Sequence, residues 1–133
     1  MVKGIGIDII EVDRIAEKIG KEQGFRELVF STAEIRYCEQ MAHKYQHYAA
    51  RFAAKEAFFK AVGTGWANGT AFSEIEITHA PDGKPFISLL GETANWAKQK
   101  EIDCISLSLS HVKTMATAVV VIEGCRVAGD SSF

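Results

Sequence analysis

The stretch RFAAKEAFFKAVGTG, Arg51 to Gly65, sets a lone acid, Glu56, among alanines and phenylalanines. At about 100° per residue on a helix, Ala49, Phe52, Ala53 and Phe59 surround it, and Lys60 follows one turn later. The plain reading is an i,i+4 ion pair with Lys60, which contributes only about 0.2–0.5 kcal/mol. Desolvating an ionised carboxylate costs several kcal/mol unless it is paired or bound to a metal, so a cation would resolve the cost. A second acid stands in GIGIDII near the start, where alternation puts Ile5, Ile7 and Ile9 on one face of a strand and Gly4, Gly6 and Asp8 on the other. Asp8 could cap the following helix, although Asp13 is better placed for that. It could also be a second oxygen ligand, held on a rigid strand with Gly4 and Gly6 clearing neighbouring bulk. Two carboxylates with no nearby histidine or thiolate suit Mg2+, which takes one or two protein carboxylates together with waters and substrate phosphates. That chemistry points to a phosphorylated substrate.

Lys55, Lys60 and the turn Gly63-Thr64-Gly65 would supply the counter-charges and backbone amides that a diphosphate needs. SHVK adds His111 and Lys113 at a hairpin turn. Arg14, Lys18 and Lys21 fall on one helical stripe opposite Ile15 and Ile19, with Arg26 just beyond. Such a stripe is either a solvated face or a docking surface for an acidic protein. Other patterns fail on inspection. GIGIDI and GTGWANG each lack a correctly placed third glycine for a dinucleotide fingerprint, and no GxxxxGK[ST] phosphate loop occurs. His43 and His47 in HKYQH are one turn apart, as zinc ligands could be. Lys44, however, stands where a zinc protease needs its glutamate, and both histidines read as surface or interface residues. The NGT at Asn68 reads as a turn.

These candidates need a scaffold. DRIAEKIGKE has helical spacing, and STAEIRYCEQMA opens with Ser31 and Glu34 in capping-box register. The strongest helix runs from about Tyr48 to Val62 and is ended by Gly63 and Gly65. SEIEITHA and FISLL flank the turn PDGKP, ETANWAKQK is a short helix, and CISLSLSH pairs with TMATAVVVIE through a turn at His111 to Lys113. Helices first and hairpins later favour an α+β fold with a mainly antiparallel sheet. With 133 residues and no linker, one domain over residues 1–123 is expected, with a loosely ordered tail at 124–133.

Composition narrows the class. Hydrophobic residues at 47% and charged residues at 24% fit an ordinary globular protein and exclude disordered and fibrous classes. The formal charge of −2 gives no global attraction to nucleic acid. No apolar run approaches the roughly 18 residues of a membrane span, and the opening lacks a signal-peptide pattern, so the cytoplasm is the expected compartment. Cys38, Cys104 and Cys125 are odd in number and widely spaced, which points to reduced, mostly buried thiols rather than a disulfide framework.

In order and spacing, GIGIDIIEVDRI, RFAAKEAFFKAVGTG and SLSHVKTMATAVVV resemble the holo-acyl-carrier-protein synthase family, the short bacterial 4′-phosphopantetheinyl transferases. The resemblance runs from about Lys3 to Ile122. It implies the 4′-phosphopantetheinyl transferase fold, coenzyme A as donor, a serine of apo acyl carrier protein as acceptor and adenosine 3′,5′-bisphosphate as the second product. By the same resemblance Asp8 and Glu56 match the family's Mg2+ ligands, and Lys60 matches the lysine beside the diphosphate. Arg51 and His111 match positions near the adenosine 3′-phosphate. Arg14 matches the basic helix that docks the acidic carrier protein, which gives Lys18, Lys21 and Arg26 the same reading. A homotrimer with active sites between subunits is implied, placing His111 and Glu56 of one site on different chains. The rivals are a Mg2+-dependent nucleotide diphosphate hydrolase and a non-catalytic coenzyme A or carrier-protein binding module.

Overall fold

In the computed structural model the residues described are 1–63 and 70–124; Thr64, Gly65, Asn68, Cys125 and the tail after Gly124 lie outside them. The chain opens with strand β1 (Val2–Glu11), passes through helices α1 (Val12–Lys21), α2 (Phe25–Val29) and α3 (Thr32–Glu39), and enters the central helix α4 (Lys44–Val62). A single 3-10 turn at Phe72–Glu74 leads to β2 (Ile75–His79) and β3 (Pro85–Leu89), then α5 (Gly91–Gln99), β4 (Cys104–His111) and β5 (Met115–Glu123). Two antiparallel sheets result: β1-β5-β4, and the hairpin β2-β3. The fold is α+β with antiparallel sheets packed against helices, as the pattern implied.

Local chemistry sets the element ends. Ser31 and Glu34 form a full capping box: Glu34 N–H donates to Ser31 Oγ at 3.2 Å, and Ser31 N–H donates to Glu34 Oε1 at 2.9 Å. Gly63 stops α4 at φ 83°, a left-handed conformation that favours glycine. Neither Asp8 nor Asp13 caps α1. Its N-cap is Glu11, without a side-chain bond, and Asp13 lies in the first turn, where its charge suits the helix dipole. Helix α4 begins four residues before the expected Tyr48, and the five-residue α2 is too short to show a period in the sequence.

Helix α4 is buried nearly all round, with β1 and β5 on one side and α1, α3 and β2 on others. The core side of the sheet comes from Ala116, Ala118, Val120 and Ile122 of β5. Strand β1 presents its glycines to the helix and its isoleucines outward: Ile5, Ile7 and Ile9 are 65%, 62% and 64% exposed. The register sets Ile5 beside Val121, Ile7 beside Val119 and Ile9 beside Thr117. The outward face is therefore apolar over two strands.

Candidate active site

Asp8, Glu56 and Lys60 meet because β1 lies directly against α4. A Cβ added at Gly4 or Gly6 would stand 1.9 Å from the carbonyl oxygen of Ala61 or Ala57, so only glycine permits this approach. Helix α4 answers with Ala57 and Ala61, whose small side chains leave the strand room to come this near. Thr117 of β5 then fixes the strand, its hydroxyl donating to the Asp8 carbonyl at 2.8 Å.

Lys60 Nζ donates to Asp8 Oδ1 at 2.8 Å and to the Ile7 carbonyl at 3.1 Å. The lysine thus reaches across to the strand, and the ion pair with Glu56 that helical spacing offered is not made. The bond to Asp8 holds its ammonium above the usual lysine range. Glu56 is half-buried and has no hydrogen bond or ion pair among the described residues. Burial first, then the charge of Asp8, pushes its carboxyl above the ordinary 4.5, with Lys60 pulling the other way. Two carboxylates repelling each other across a strand-helix contact form an all-oxygen donor set that a hard cation would relieve. Among the described residues no group of three or more His, Cys, Asp or Glu could hold a metal. The pair therefore fits an ion that keeps most of its shell for water and substrate oxygens.

Lys55 is corrected. Rather than facing a diphosphate, it is fully buried and paired with the equally buried Glu34 at 2.8 Å, and it also donates to the carbonyls of Phe72 and Ile75. Glu34 Oε2 accepts from the Ile77 amide at 3.0 Å, so this pair ties α3, α4 and β2 together. Its partners satisfy it on every side, as a buried ion pair requires. Of the thiols, Cys38 is buried, which raises its pKa to about 12, whereas Cys104 is exposed.

Arg51 is only 2% exposed. Its guanidinium lies 4.3 Å from the centre of the Tyr37 ring, one nitrogen donates weakly to the His47 carbonyl at 3.4 Å, and its Nε has no partner among the described residues. Tyr37 stacks on His79 at 4.7 Å, and His47 meets both Tyr37 and His111 edge-on. Burial, followed for His47 by the charges of His111 and Arg51 and for His79 by that of Arg51, lowers both imidazoles. His111 is exposed, with Nδ1 3.0 Å from Gln46 Oε1. Within one chain its neighbour His47 is nine residues, about 14 Å, along α4 from Glu56. Gly63 closes α4, while Thr64 and Gly65 fall outside the described residues.

The basic stripe carries its own counter-charges. Lys21 pairs with Glu17, Lys18 with Glu22, and Arg26 with Glu27 and Glu39. Arg14 is exposed with no ion pair among the described residues. Lys18 sits over Phe25 at 5.6 Å, Phe25 touches Phe52 at 6.3 Å, and Phe52 precedes Glu56 by one helical turn. An aromatic ridge thereby links the basic helix to the carboxylates. Sequence reasoning missed Tyr37 and Thr117, whose roles depend on tertiary neighbours. It also missed the Glu34–Lys55 pair, although a lysine beside Glu56 on so apolar a helix was a signal.

Residues 4–118 match the 4′-phosphopantetheinyl transferase superfamily. The holo-[acyl-carrier-protein] synthase of Ruminiclostridium cellulolyticum is 51% identical over 122 residues, covering 89% of this chain and 90% of that protein. The solved structure of holo-[acyl-carrier-protein] synthase from Neisseria meningitidis superposes with a TM-score of 0.85 at 35% identity, covering 92% of this chain and 99% of that one. The Bacillus anthracis enzyme, solved in complex with CoA (3′,5′-ADP), does so with 0.78 at 36% identity, covering 94% and 99%. Agreement in sequence and backbone over nearly the full length, around a glycine-cleared carboxylate pair, places the chain in the 4′-phosphopantetheinyl transferase superfamily, among its holo-acyl-carrier-protein synthases.

Proposed function

We propose that this chain transfers 4′-phosphopantetheine from coenzyme A to a serine of apo acyl carrier protein, with adenosine 3′,5′-bisphosphate as the leaving product. The observation that carries the reading is the facing pair Asp8 and Glu56 with Lys60 on its edge. Asp8 and Glu56 would hold a magnesium ion, which would neutralise the charge growing on the diphosphate oxygens. The serine hydroxyl gives its proton to a base at the site, Glu56, Asp8 or a water, as its oxygen bonds to the β-phosphorus and the bond from that phosphorus to the bridging oxygen breaks in line. Lys60 stabilises or protonates the departing phosphate, and the rigid contact of β1 with α4 holds Asp8 and Glu56 in register. Arg51, a buried cation without a carboxylate partner among the described residues, and His111 meet the donor's 3′-phosphate. Gly63, Thr64 and Gly65 offer backbone amides to the phosphates.

Acyl carrier protein docks through Arg14, Lys18, Lys21 and Arg26, and the aromatic ridge leads from that helix to the carboxylates. Leu28, 73% exposed beside Arg26, gives the surface an apolar element. The uncovered isoleucine face supports a homotrimer, and the seat of His111 against His47, well along α4 from Glu56, supports sites shared between chains. Residues 1–123 act as a single transferase domain. No helix among the described residues is long and apolar enough to cross a membrane, and the reading places the enzyme in the cytoplasm.

The test is to incubate the protein with coenzyme A, Mg2+ and apo carrier protein and to weigh the carrier by mass spectrometry. A gain of one phosphopantetheinyl group is expected. Free phosphopantetheine with an unchanged carrier would mean hydrolysis, and no reaction would mean binding alone.

A further inference from the structure

Arg51 is a buried cation with no anionic partner among the described residues: Tyr37 of α3 covers its guanidinium, the His47 carbonyl of its own helix accepts from it, and His79 of β2 stacks on Tyr37. Its one hydrogen bond is long and its Nε is unmatched among the described residues, so hydrogen bonding does not fix the plane of the guanidinium. The Tyr37 ring at 4.3 Å does. Tyr37 in turn cannot swing freely, because His79 stacks on it at 4.7 Å and 24°, and His47 abuts it at 76°. We infer that Tyr37, braced by His79, is a positioning residue for the donor: it holds the Arg51 guanidinium ready for the 3′-phosphate and so contributes to selection of 3′-phosphorylated coenzyme A. The inference rests on the reading that Arg51 meets that phosphate. It adds a role for a ring whose contacts are with Arg51, His47 and His79 rather than with Asp8, Glu56 or Lys60. An oriented fork costs less entropy to engage than a mobile one, and a phosphate makes full use of it only when the plane is right.

The experiment compares wild type with Tyr37→Leu, Tyr37→Phe, His79→Ala and Arg51→Gln. Dissociation constants for coenzyme A and for dephospho-coenzyme A are measured by titration calorimetry, alongside kcat at saturating donor. Loss of a cation–ring contact predicts that Tyr37→Leu weakens coenzyme A roughly threefold to thirtyfold. Binding of the dephospho donor and kcat should stay near wild type. Tyr37→Phe, which keeps the ring, should restore tight binding. His79→Ala, which leaves α3 untouched, should weaken coenzyme A selectively but by less, and it serves as the second arm if Tyr37→Leu does not fold. Adding Tyr37→Leu to Arg51→Gln should cost nothing more. Equal weakening of both donors, or of neither, in Tyr37→Leu and His79→Ala overturns the inference and reduces Tyr37 to packing. If Arg51→Gln itself leaves the preference for the 3′-phosphorylated donor intact, the underlying reading of Arg51 fails, and the inference fails with it.

Discussion

At the scale of single residues, Glu56 sets function against stability. Its carboxyl is raised by burial and by Asp8, so ionising it is harder in the folded, metal-free protein than in the unfolded chain. A raised carboxyl pKa contributes stability that is fully present below the ordinary 4.5 and is lost as pH rises through the higher folded value. Glu56→Gln removes the titration. In a chelator, thermal denaturation across pH should show the variant gaining on wild type as pH rises from 4.5, with the gap closed below it. Its transfer activity should fall by at least about a hundredfold, since a neutral amide replaces a charged ligand. A variant no more stable than wild type at neutral pH would refute the opposition between Asp8 and Glu56. The carboxylates themselves were legible in the sequence, because an acid on an apolar face and an acid between glycines each demand a reason. Lys55 was misread for an equally physical reason: periodicity shows which face a lysine occupies but not whether Glu34, far away in the chain, waits there to meet it.

At the scale of elements, the site is a consequence of how closely β1 approaches α4. Gly6→Ala drives a methyl group into the Ala57 carbonyl, which should cost about 1–3 kcal/mol of stability or more. It should also separate Asp8 from Glu56, and a displacement near 1 Å lowers kcat by about a hundredfold. Denaturant unfolding and steady-state transfer read the two effects; wild-type activity would show that the approach is not needed. Helix α1 makes its own forecast. Because Lys18 and Lys21 are already paired with Glu22 and Glu17, Arg14→Glu should slow association with carrier protein more than Lys21→Glu does, and should flatten its salt dependence more. Stopped-flow association over a salt series decides the order. Strand and helix identities were readable because alternation, the Ser31–Glu34 capping box and Gly63 agree with one another. The sequence did not show that the glycine face of β1, not the isoleucine face, meets the core. Glycine carries no hydrophobic signal, and only the small residues of α4 reveal the match.

At the scale of the whole molecule, a site shared between chains can be tested by mixing. Co-expressed His111→Ala and Glu56→Gln chains, each impaired alone at limiting donor, should assemble oligomers in which up to about a quarter of the sites are intact at both positions. Recovery of transfer activity to that level is the expected result, and persistent impairment would place both residues in one subunit's site. Periodicity alone could not test this proposal, since a strand reads the same whether its outer face meets solvent or a neighbour. The three isoleucines on that face also make abundance matter twice. If the proposed sites are shared, chains scarce enough to drift apart would lose the shelter of their greasy side and half of every centre at once. Turnover per molecule should therefore sink as the enzyme is diluted, and rise again when copies crowd together.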